Sequence, residues 1–280
     1  MSNQQSHTFA YLGPVGTFTE AALAKITCDT DKKIPYANVT AALDAVRKGD
    51  ADYALVPIEN SVEGVVARTL DELASGDPLT ISGEVTLPVT FAFMTKPGVT
   101  AIKRIGTHPH AESQCREYIA KNYPHAEVVP TASTSAAAEA ASKGELDAAI
   151  ASSTAATHFG LEIREEDIGD NSGAVTRFIC AQKPGWIPEP TGHDRTSMAV
   201  FIDIDHAGAL LEILQVFAKY DVNLTFIQSR PTGRELGHYH FIIDVEGHIN
   251  DLPVGKSVEE LREICDDIRF LGSYPREVRS

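Results

Sequence analysis

Residues 53–64 read YALVPIENSVEG, an apolar run interrupted by Pro57 and followed at once by three polar side chains, Glu59, Asn60 and Ser61. Asn and Ser are good helix N-caps and the amphipathic stretch VARTLDELA follows, so one explanation is the start of a helix. The other is a binding cleft, because ligands of open α/β sheets sit outside the carboxyl ends of the strands.

The surrounding sequence favours the cleft. FAYL precedes GPVGTFTEAALAKI, NVTAALDAVRK precedes ADYALVP, and RIGTH precedes a helical stretch through Cys115 and Tyr118. Strands alternating with helices in this way indicate an α/β fold. Residues 40–57 (TAALDAVRKGDADYALVP) also lie without gaps over residues 135–152 (SAAAEAASKGELDAAIAS), matching Ala41 with Ala136, Lys48 with Lys143, Gly49 with Gly144 and Asp52 with Asp147. Each copy reads as a hydroxyl-capped helix, a glycine that ends it in the left-handed conformation, and a short strand. The match is either a unit common in α/β proteins or a sign of two similar lobes, and two such lobes would resemble the type II periplasmic-binding-protein-like architecture, in which strand ends face each other across a cleft. Glu59, Asn60 and Ser61 from one copy and Ser152 and Ser153 from the other then converge.

Composition bounds the ligand. The 280 residues carry a formal charge of −15 and a pI near 5.0, which argues against nucleic acid or an anionic membrane as partner. MSNQQSHTFAYL lacks a basic stretch followed by a long apolar one, and no uninterrupted apolar segment is long enough to span a bilayer, so a cytoplasmic location is expected. Cys28, Cys115, Cys180 and Cys265 lie far apart without a CxxC pair, so reduced thiols are expected and neither a zinc site nor a disulfide framework is. A small molecule remains.

Three more stretches point to the cleft. In GPVGTF (13–18), Thr17 and Glu20 form a capping box that leaves N–H groups near Gly16 for an anion; the lysine and spacing of a P-loop are missing. GTHPHAESQC places Thr107 and His108 at a strand end before Pro109, as a turn or as a functional corner. In DNSGAVTRF (170–178), Arg177 stands within the apolar strand AVTRFICA, where a guanidinium demands a carboxylate, either internal or from a ligand.

GPVGTFTEAA, VPIENSVEG, THPHAESQC and VTRF, in this order and spacing, resemble the prephenate dehydratase family over roughly residues 8–276. The resemblance implies conversion of prephenate to phenylpyruvate with loss of carbon dioxide and water, in phenylalanine biosynthesis, without metal or organic cofactor. It implies a catalytic domain over 8–183, with one lobe of 8–78 plus 170–183 and the other of 79–169, then a linker at 184–193. The family's threonine, arginine and phenylalanine fall on Thr176, Arg177 and Phe178; Ala174 stands where relatives often carry Asn. On this reading Thr176 donates a hydrogen bond to the leaving hydroxyl, and Arg177 captures a carboxylate. Glu59, its pKa raised by burial, is a second candidate for the proton. N–H groups near Gly16 and Thr17 and around Asn60 and Ser61, with Thr107, Ser152 and Ser153, bind the rest. Phe178 supplies an apolar wall that favours decarboxylation.

After the linker, TSMAVFIDI, GALLEILQVFAKYDV, NLTFIQSRPTG, YHFIIDVEGH, SVEELREICDDI and FLGSYP follow in the order βαββαβ, the ferredoxin-like plan of an ACT domain, placed at 194–276. Asp205, His206, Gly208, Ala209 and Leu210 stand at its first helix start and Gln228, Ser229 and Arg230 at a strand end. The family's GAL and ESRP motifs match Gly208–Leu210 and 228–231, with Gln228 in place of glutamate. Together with carbonyls near Asn223 and Leu224 they imply a phenylalanine effector site and homodimers, or dimers of dimers, paired through these domains. The competing functions are a non-catalytic solute-binding module with the same cleft and an arogenate-preferring dehydratase. With no helical segment before residue 8, a fused chorismate mutase is not expected.

Overall fold

The structure, a computed structural model, describes residues 6–171, 173–202, 206–231 and 239–277. The chain divides into two compact units, one of Met1–Ala42, Leu55–Val66 and Val85–Phe178, the other of Leu43–Ala54, Ala67–Glu84 and Ile179–Ser280.

The first sheet draws on β1 (Thr8–Leu12), followed by α1 (Phe18–Ala24), and on β2 (Lys32–Tyr36), followed by α2 (Val39–Lys48). The chain continues through β3 (Tyr53–Asn60), β4 (Gly64–Val65), α3 (Ala67–Ser75) and β5 (Thr80–Pro88). Next come β6 (Ala92–Thr95), β7 (Arg104–Thr107), α4 (Pro109–Ser113), α5 (Arg116–Asn122) and β8 (Glu127–Pro130). The echo of the α2–β3 unit is α6 (Thr134–Lys143) with β9 (Ala148–Ala151), before α7 (Ser153–Phe159), β10 (Glu162–Glu165) and β11 (Val175–Gln182). Strand order is β2-β1-β3-β11-β5 in the first sheet, with β4 paired to β3, and β10-β6-β9-β7-β8 in the second. The two sheets are those of the expected two-lobed α/β fold.

Both copies of the echo end their helix on a left-handed glycine, Gly49 at φ 83° and Gly144 at φ 77°. Their caps differ: Ser133 Oγ accepts from the Ala136 N–H, whereas Asn38, an amide and not a hydroxyl, accepts from the Ala41 N–H. The run of alanines is a packing choice. Ala137, Ala138 and Ala141 are buried against Ala149, Ala151, Ala155 and Met94, where larger side chains do not fit between helix and strand. Two expectations change. β5 pairs in the first sheet, so residues from 79 onward start on that sheet and not in the second lobe, which takes strands only from Ala92. The residues after Asn60 do not start a helix either: they fold back as β4, and α3 begins at Ala67.

The remaining elements are β12 (Asp194–Ile202), α8 (Ala209–Lys219), β13 (Leu224–Pro231), β14 (Tyr239–Glu246), α9 (Leu252–Ile264) and β15 (Asp267–Pro275). Their sheet runs β13-β14-β12-β15, the ferredoxin-like plan, with Met198, Val200, Ile243 and Val245 packed against Ile213, Phe217, Val258 and Leu261 of the helices. α9 starts earlier than SVEELREICDDI suggests, because Asp251 and Pro253 supply a start signal five residues upstream. Asp205 lies outside the described residues.

The turn between β1 and α1 fixes the rim of the cleft. Thr17 caps α1 and accepts from the Glu20 N–H, while the Glu20 carboxylate accepts from the Gly16 N–H, a capping box displaced by one residue. The N–H expected to meet an anion near Gly16 is therefore occupied. Two buried hydroxyls of the second lobe hold the same turn: Ser135 donates to the Val15 carbonyl and Ser152 to the Gly16 carbonyl at 2.9 Å. Gly16 sits at φ 78°, and a Cβ there would meet Ser135 Oγ at 3.0 Å and Ala155 Cα at 3.1 Å. Gly16→Ala is expected to lower unfolding free energy in urea by about 1–3 kcal/mol, the range for a strained left-handed residue; an unchanged midpoint would show that the turn relaxes freely.

Candidate functional site

A cavity of about 560 Å³, inside the usual range of roughly 300–1,000 Å³ for small-molecule sites, opens where the strand ends of the two sheets meet. From the first lobe Leu12, Gly13, Pro14, Thr17, Phe18, Asn60, Glu63 and Thr176 line it. Val89, Phe91, His108, His110, Gln114, Ser133 and Thr134 face them. Phe18 and Phe91 meet edge to face with ring centroids 5.6 Å apart and form an apolar wall. Neither Arg nor Lys is among the described lining residues.

Three successive residues of β3 and its end answer three of β11. Arg177 Nε donates to Glu59 Oε1 at 2.7 Å, and Asn60 Nδ2 donates to Thr176 Oγ1 at 2.8 Å. Ser61 and Val175 exchange two bonds, from the Ser61 N–H to the Val175 carbonyl and from the Val175 N–H to Ser61 Oγ, each 2.9 Å. Side chains alternate across a strand, so Asn60 and Thr176 reach the cavity while Glu59 and Arg177 do not line it. Arg177, 4% exposed, finds its carboxylate inside the protein, the internal alternative left open by the sequence. Glu59 is half-buried and accepts from Arg177 in an ion pair.

Asn60 serves its own turn as well: Oδ1 accepts from the Val62 N–H at 2.8 Å and the Glu63 N–H at 2.9 Å. The backbone donors expected around Asn60 and Ser61 are thus already satisfied. Thr107 is buried and donates to the Ile150 carbonyl; Ser152 caps α7 and holds Gly16; Ser153 and Phe178 do not line the cavity, Phe178 being core. These residues shape the site from behind.

The stretch THPHAESQC contributes more than expected. His108 caps α4, its Nδ1 accepting from the His110 N–H at 3.3 Å, so the neutral ring carries its proton on Nε2. Burial, then the neighbouring His110, holds the His108 imidazole below its ordinary pKa, against the opposing pull of Glu63. Gln114, nearly buried, donates to Glu63 Oε1 at 2.9 Å, and His110 Nδ1 lies 3.8 Å from Glu63 Oε2. Glu63, His110, Gln114, Phe18 and Phe91 were not singled out from sequence. The signal lay in the motifs themselves, since Phe18 belongs to GPVGTF and His110 and Gln114 to THPHAESQC. Among the described residues no group of three or more His, Cys, Asp or Glu is placed to hold a metal ion, and no helix is long and apolar enough to cross a membrane.

In the ferredoxin-like unit a smaller cavity of about 180 Å³ is lined by His206, Gly208, Ala209 and Leu210 with Ile202, Leu211, Tyr239 and Phe241. Gly208, at φ 104°, is the N-cap of α8 and has nothing within 4 Å of an added Cβ. Asn223, Leu224, Gln228, Ser229 and Arg230 do not line this cavity. The Asn223 carbonyl accepts from the Glu246 N–H, and Gln228 Nε2 donates to the Ser229 carbonyl. Arg230 makes a bidentate pair with Asp71 at 2.9 and 2.8 Å.

Comparison with known proteins agrees with this geometry. A prephenate dehydratase family profile matches residues 9–185 and an ACT domain profile residues 200–263. The chain is 43% identical over 268 residues to a prephenate dehydratase of Amycolatopsis methanolica, covering 95% of this chain and 88% of that one. The crystal structure of a prephenate dehydratase from Arthrobacter aurescens in complex with L-Phe superposes with a TM-score of 0.90 at 48% identity, covering 96% of this chain and 90% of that one. A protein described as a quorum quenching acylase has a TM-score of 0.86 at 29% identity, with 96% and 98% covered.

The Glu59–Arg177 pair is testable apart from any activity. In a double-mutant cycle of Glu59→Gln and Arg177→Met, urea unfolding is expected to give a coupling of about 1–2 kcal/mol, modest because the Glu59 side chain is 34% exposed. A coupling near zero would mean that Arg177 takes its charge balance elsewhere.

Proposed function

The chain belongs to the prephenate dehydratase family, and we propose that its larger cavity converts prephenate to phenylpyruvate, carbon dioxide and water in phenylalanine biosynthesis. On this reading the dehydratase chemistry belongs to residues 8–183, with 184–193 as linker and 194–276 as the regulatory domain, in a cytoplasmic enzyme. The observation that carries it is Thr176: its hydroxyl lines a cavity walled by Phe18 and Phe91 and is held from behind by Asn60.

The bond from ring to carboxylate breaks, its electron pair enters the ring, the 4-hydroxyl leaves, and the ring becomes aromatic. Loss of the carboxylate as carbon dioxide is favoured where water is excluded, which the Phe18–Phe91 wall provides. Departure of hydroxide needs a donor on the leaving oxygen, and Thr176 is positioned to be one. The neutral Nε2–H of His108 is a second donor in the same cavity. With no guanidinium among the described lining residues, the substrate's other carboxylate is received by the start of α6, where Ser133 and Thr134 present the positive end of the helix. Nothing in this elimination requires a metal or an organic cofactor. Arg177 and Glu59 act by holding the strand that carries Thr176. A similar fold occurs in a protein described as an acylase, so the activity follows from these residues and not from the fold alone.

The second unit is read as the control element, with L-phenylalanine as effector. Gly208, Ala209 and Leu210 offer a helix start for its carboxylate, and Tyr239 and Phe241 an apolar side. Leu211, Ile227 and Tyr239 are exposed apolar groups on this unit, which supports pairing of subunits through it, as a dimer or a dimer of dimers.

Incubation of metal-stripped protein with prephenate is expected to yield phenylpyruvate; tight binding without turnover would favour a pure binding module, and faster turnover of arogenate would reassign the substrate. Thr176→Ala should lower kcat by ~100-fold or more, the size of a lost transition-state donor, with KM changed far less, while Thr176→Ser keeps most of the rate. For control, Gly208→Val should raise the phenylalanine concentration for half-inhibition by more than ~10-fold, because a β-branched residue is strained at a positive φ where the helix start must approach the ligand. Inhibition unchanged in this variant would place the effector elsewhere.

A further inference from the structure

The hydrogen bond between Asn60 and Thr176 has a direction that the rest of the turn imposes. An amide side chain can present either its oxygen or its NH2 to a hydroxyl, and the two choices have opposite consequences. Here the choice is already made. Asn60 Oδ1 accepts the Val62 and Glu63 N–H groups at 2.8 and 2.9 Å, and only Nδ2 is left to face Thr176 Oγ1 at 2.8 Å. The paired bonds between Ser61 and Val175 on one side and Glu59 and Arg177 on the other fix the spacing at which this happens. A threonine hydroxyl that accepts from Asn60 keeps its own proton, and the cavity is where that hydroxyl is exposed.

We propose that Asn60 is a positioning residue that sets the polarity of the Thr176 hydroxyl, so that its proton is presented to the substrate's leaving oxygen. The proposal rests on the reading of Thr176 as donor. It differs from the sequence expectation, in which Asn60 belonged to a set of backbone donors that bind the substrate. No bond to Asn60 forms or breaks in the reaction; its part is to exclude the arrangement in which Thr176 spends its proton on a neighbouring oxygen. A carboxylate at position 60 would create that arrangement, since Oδ1 would still hold the turn while the second oxygen accepted from Thr176.

Asn60→Asp and Asn60→Ala separate polarity from support. If Asn60 only braces the turn, Asp, which keeps the two turn bonds, is the milder change. If it sets polarity, Asp reverses the hydroxyl and is the worse: kcat should fall ~100-fold in Asn60→Asp, the scale of a lost oxyanion-type donor, and ~10-fold in Asn60→Ala, where orientation is lost but not inverted. The added negative charge also repels an anionic substrate, so the decisive arm is Asn60→Asp in a Thr176→Ala background, with urea midpoints checking that each variant folds. There kcat should change by less than about threefold, because residues acting as one unit are not additive. An equal loss in both backgrounds, or a milder effect of Asp than of Ala, overturns the role of Asn60 and leaves that of Thr176 standing. Wild-type turnover in Thr176→Ala alone overturns both. Should Asn60→Asp fail to fold, Asn60→Ala in the two backgrounds answers the same question: a loss confined to the Thr176 background supports the role, and an equal loss in both overturns it.

Discussion

The three rungs between residues 59–61 and 175–177 are the constraint on which the site depends. They run in opposite order along the two segments, Glu59 to Arg177, Asn60 to Thr176 and Ser61 to Val175, and each is of a different kind: an ion pair, a hydrogen bond between side chains, and a pair of bonds of which one is backbone to backbone and the other ends on the Ser61 hydroxyl. Strand alternation sends the middle rung to the cavity. The outer rungs keep it there, since neither β3 nor β11 can slip by a residue without stranding the buried guanidinium of Arg177 or breaking both bonds of Ser61. Three polar residues end an apolar strand because they are stitched to a segment more than a hundred residues away.

That distance also explains what sequence reading could and could not supply. Periodicity and turn chemistry are local, so the alternation of strands and helices, the twin helix–glycine–strand units and the βαββαβ order of the second part were all legible; Gly49 and Gly144 carry the positive φ that their place after a helix demanded. The placement of Thr176 on the cavity wall was legible through its motif. The partners of Glu59, Ser61, Thr107 and Ser152 were not. Each has the chemistry of a ligand group, and each is occupied by a partner that only the tertiary fold brings near, respectively Arg177, Val175, the Ile150 carbonyl and the Gly16 carbonyl. The apolar wall went to Phe18 and Phe91 and not to Phe178 for the same reason: which phenylalanine faces the cavity depends on the rotation of α1 and on the chain before β6, neither of which hydrophobicity alone encodes.

The same limit holds in the regulatory unit, within a shorter motif. Of the residues matched to a ligand role, those at the start of α8 line the small cavity, and those on β13 do not. Arg230, the cation of the strand motif, is committed to Asp71, and Arg269 on β15 donates to the Leu73 and Gly76 carbonyls at the end of α3. Two arginines on the face of the sheet opposite α8 and α9 thus grip one helix, one through a carboxylate and one through carbonyls that a helix leaves unpaired at its C-terminus. His240 of β14 lies buried on the same face, directly opposite Arg230 of β13, with burial holding its imidazole below the ordinary range. This face is built for docking within the unit, whereas Leu211 and Tyr239 beside the small cavity, and Ile227, Leu252 and Ile264 elsewhere on the unit, are exposed apolar side chains.

Electrostatics sets a final condition on the catalytic cavity. A chain of net charge −15 that acts on a dianion cannot rely on its overall field to gather substrate. At physiological ionic strength that field is screened beyond roughly 8 Å, so the repulsion matters mainly at the mouth. On the proposed reading, attraction inside the cavity comes from groups that act at hydrogen-bond range: the start of α6, the His108 Nε2–H and the Thr176 hydroxyl. An arginine aimed at the ring carboxylate would bind the substrate more tightly, but it would stabilise a charge that the transition state is losing, and binding spent on the ground state in this way does not raise turnover. Turning Arg177 to Glu59 commits that guanidinium to holding β11 against β3, and on the proposed reading the chemistry is left to neutral donors whose bonds strengthen as the hydroxide departs.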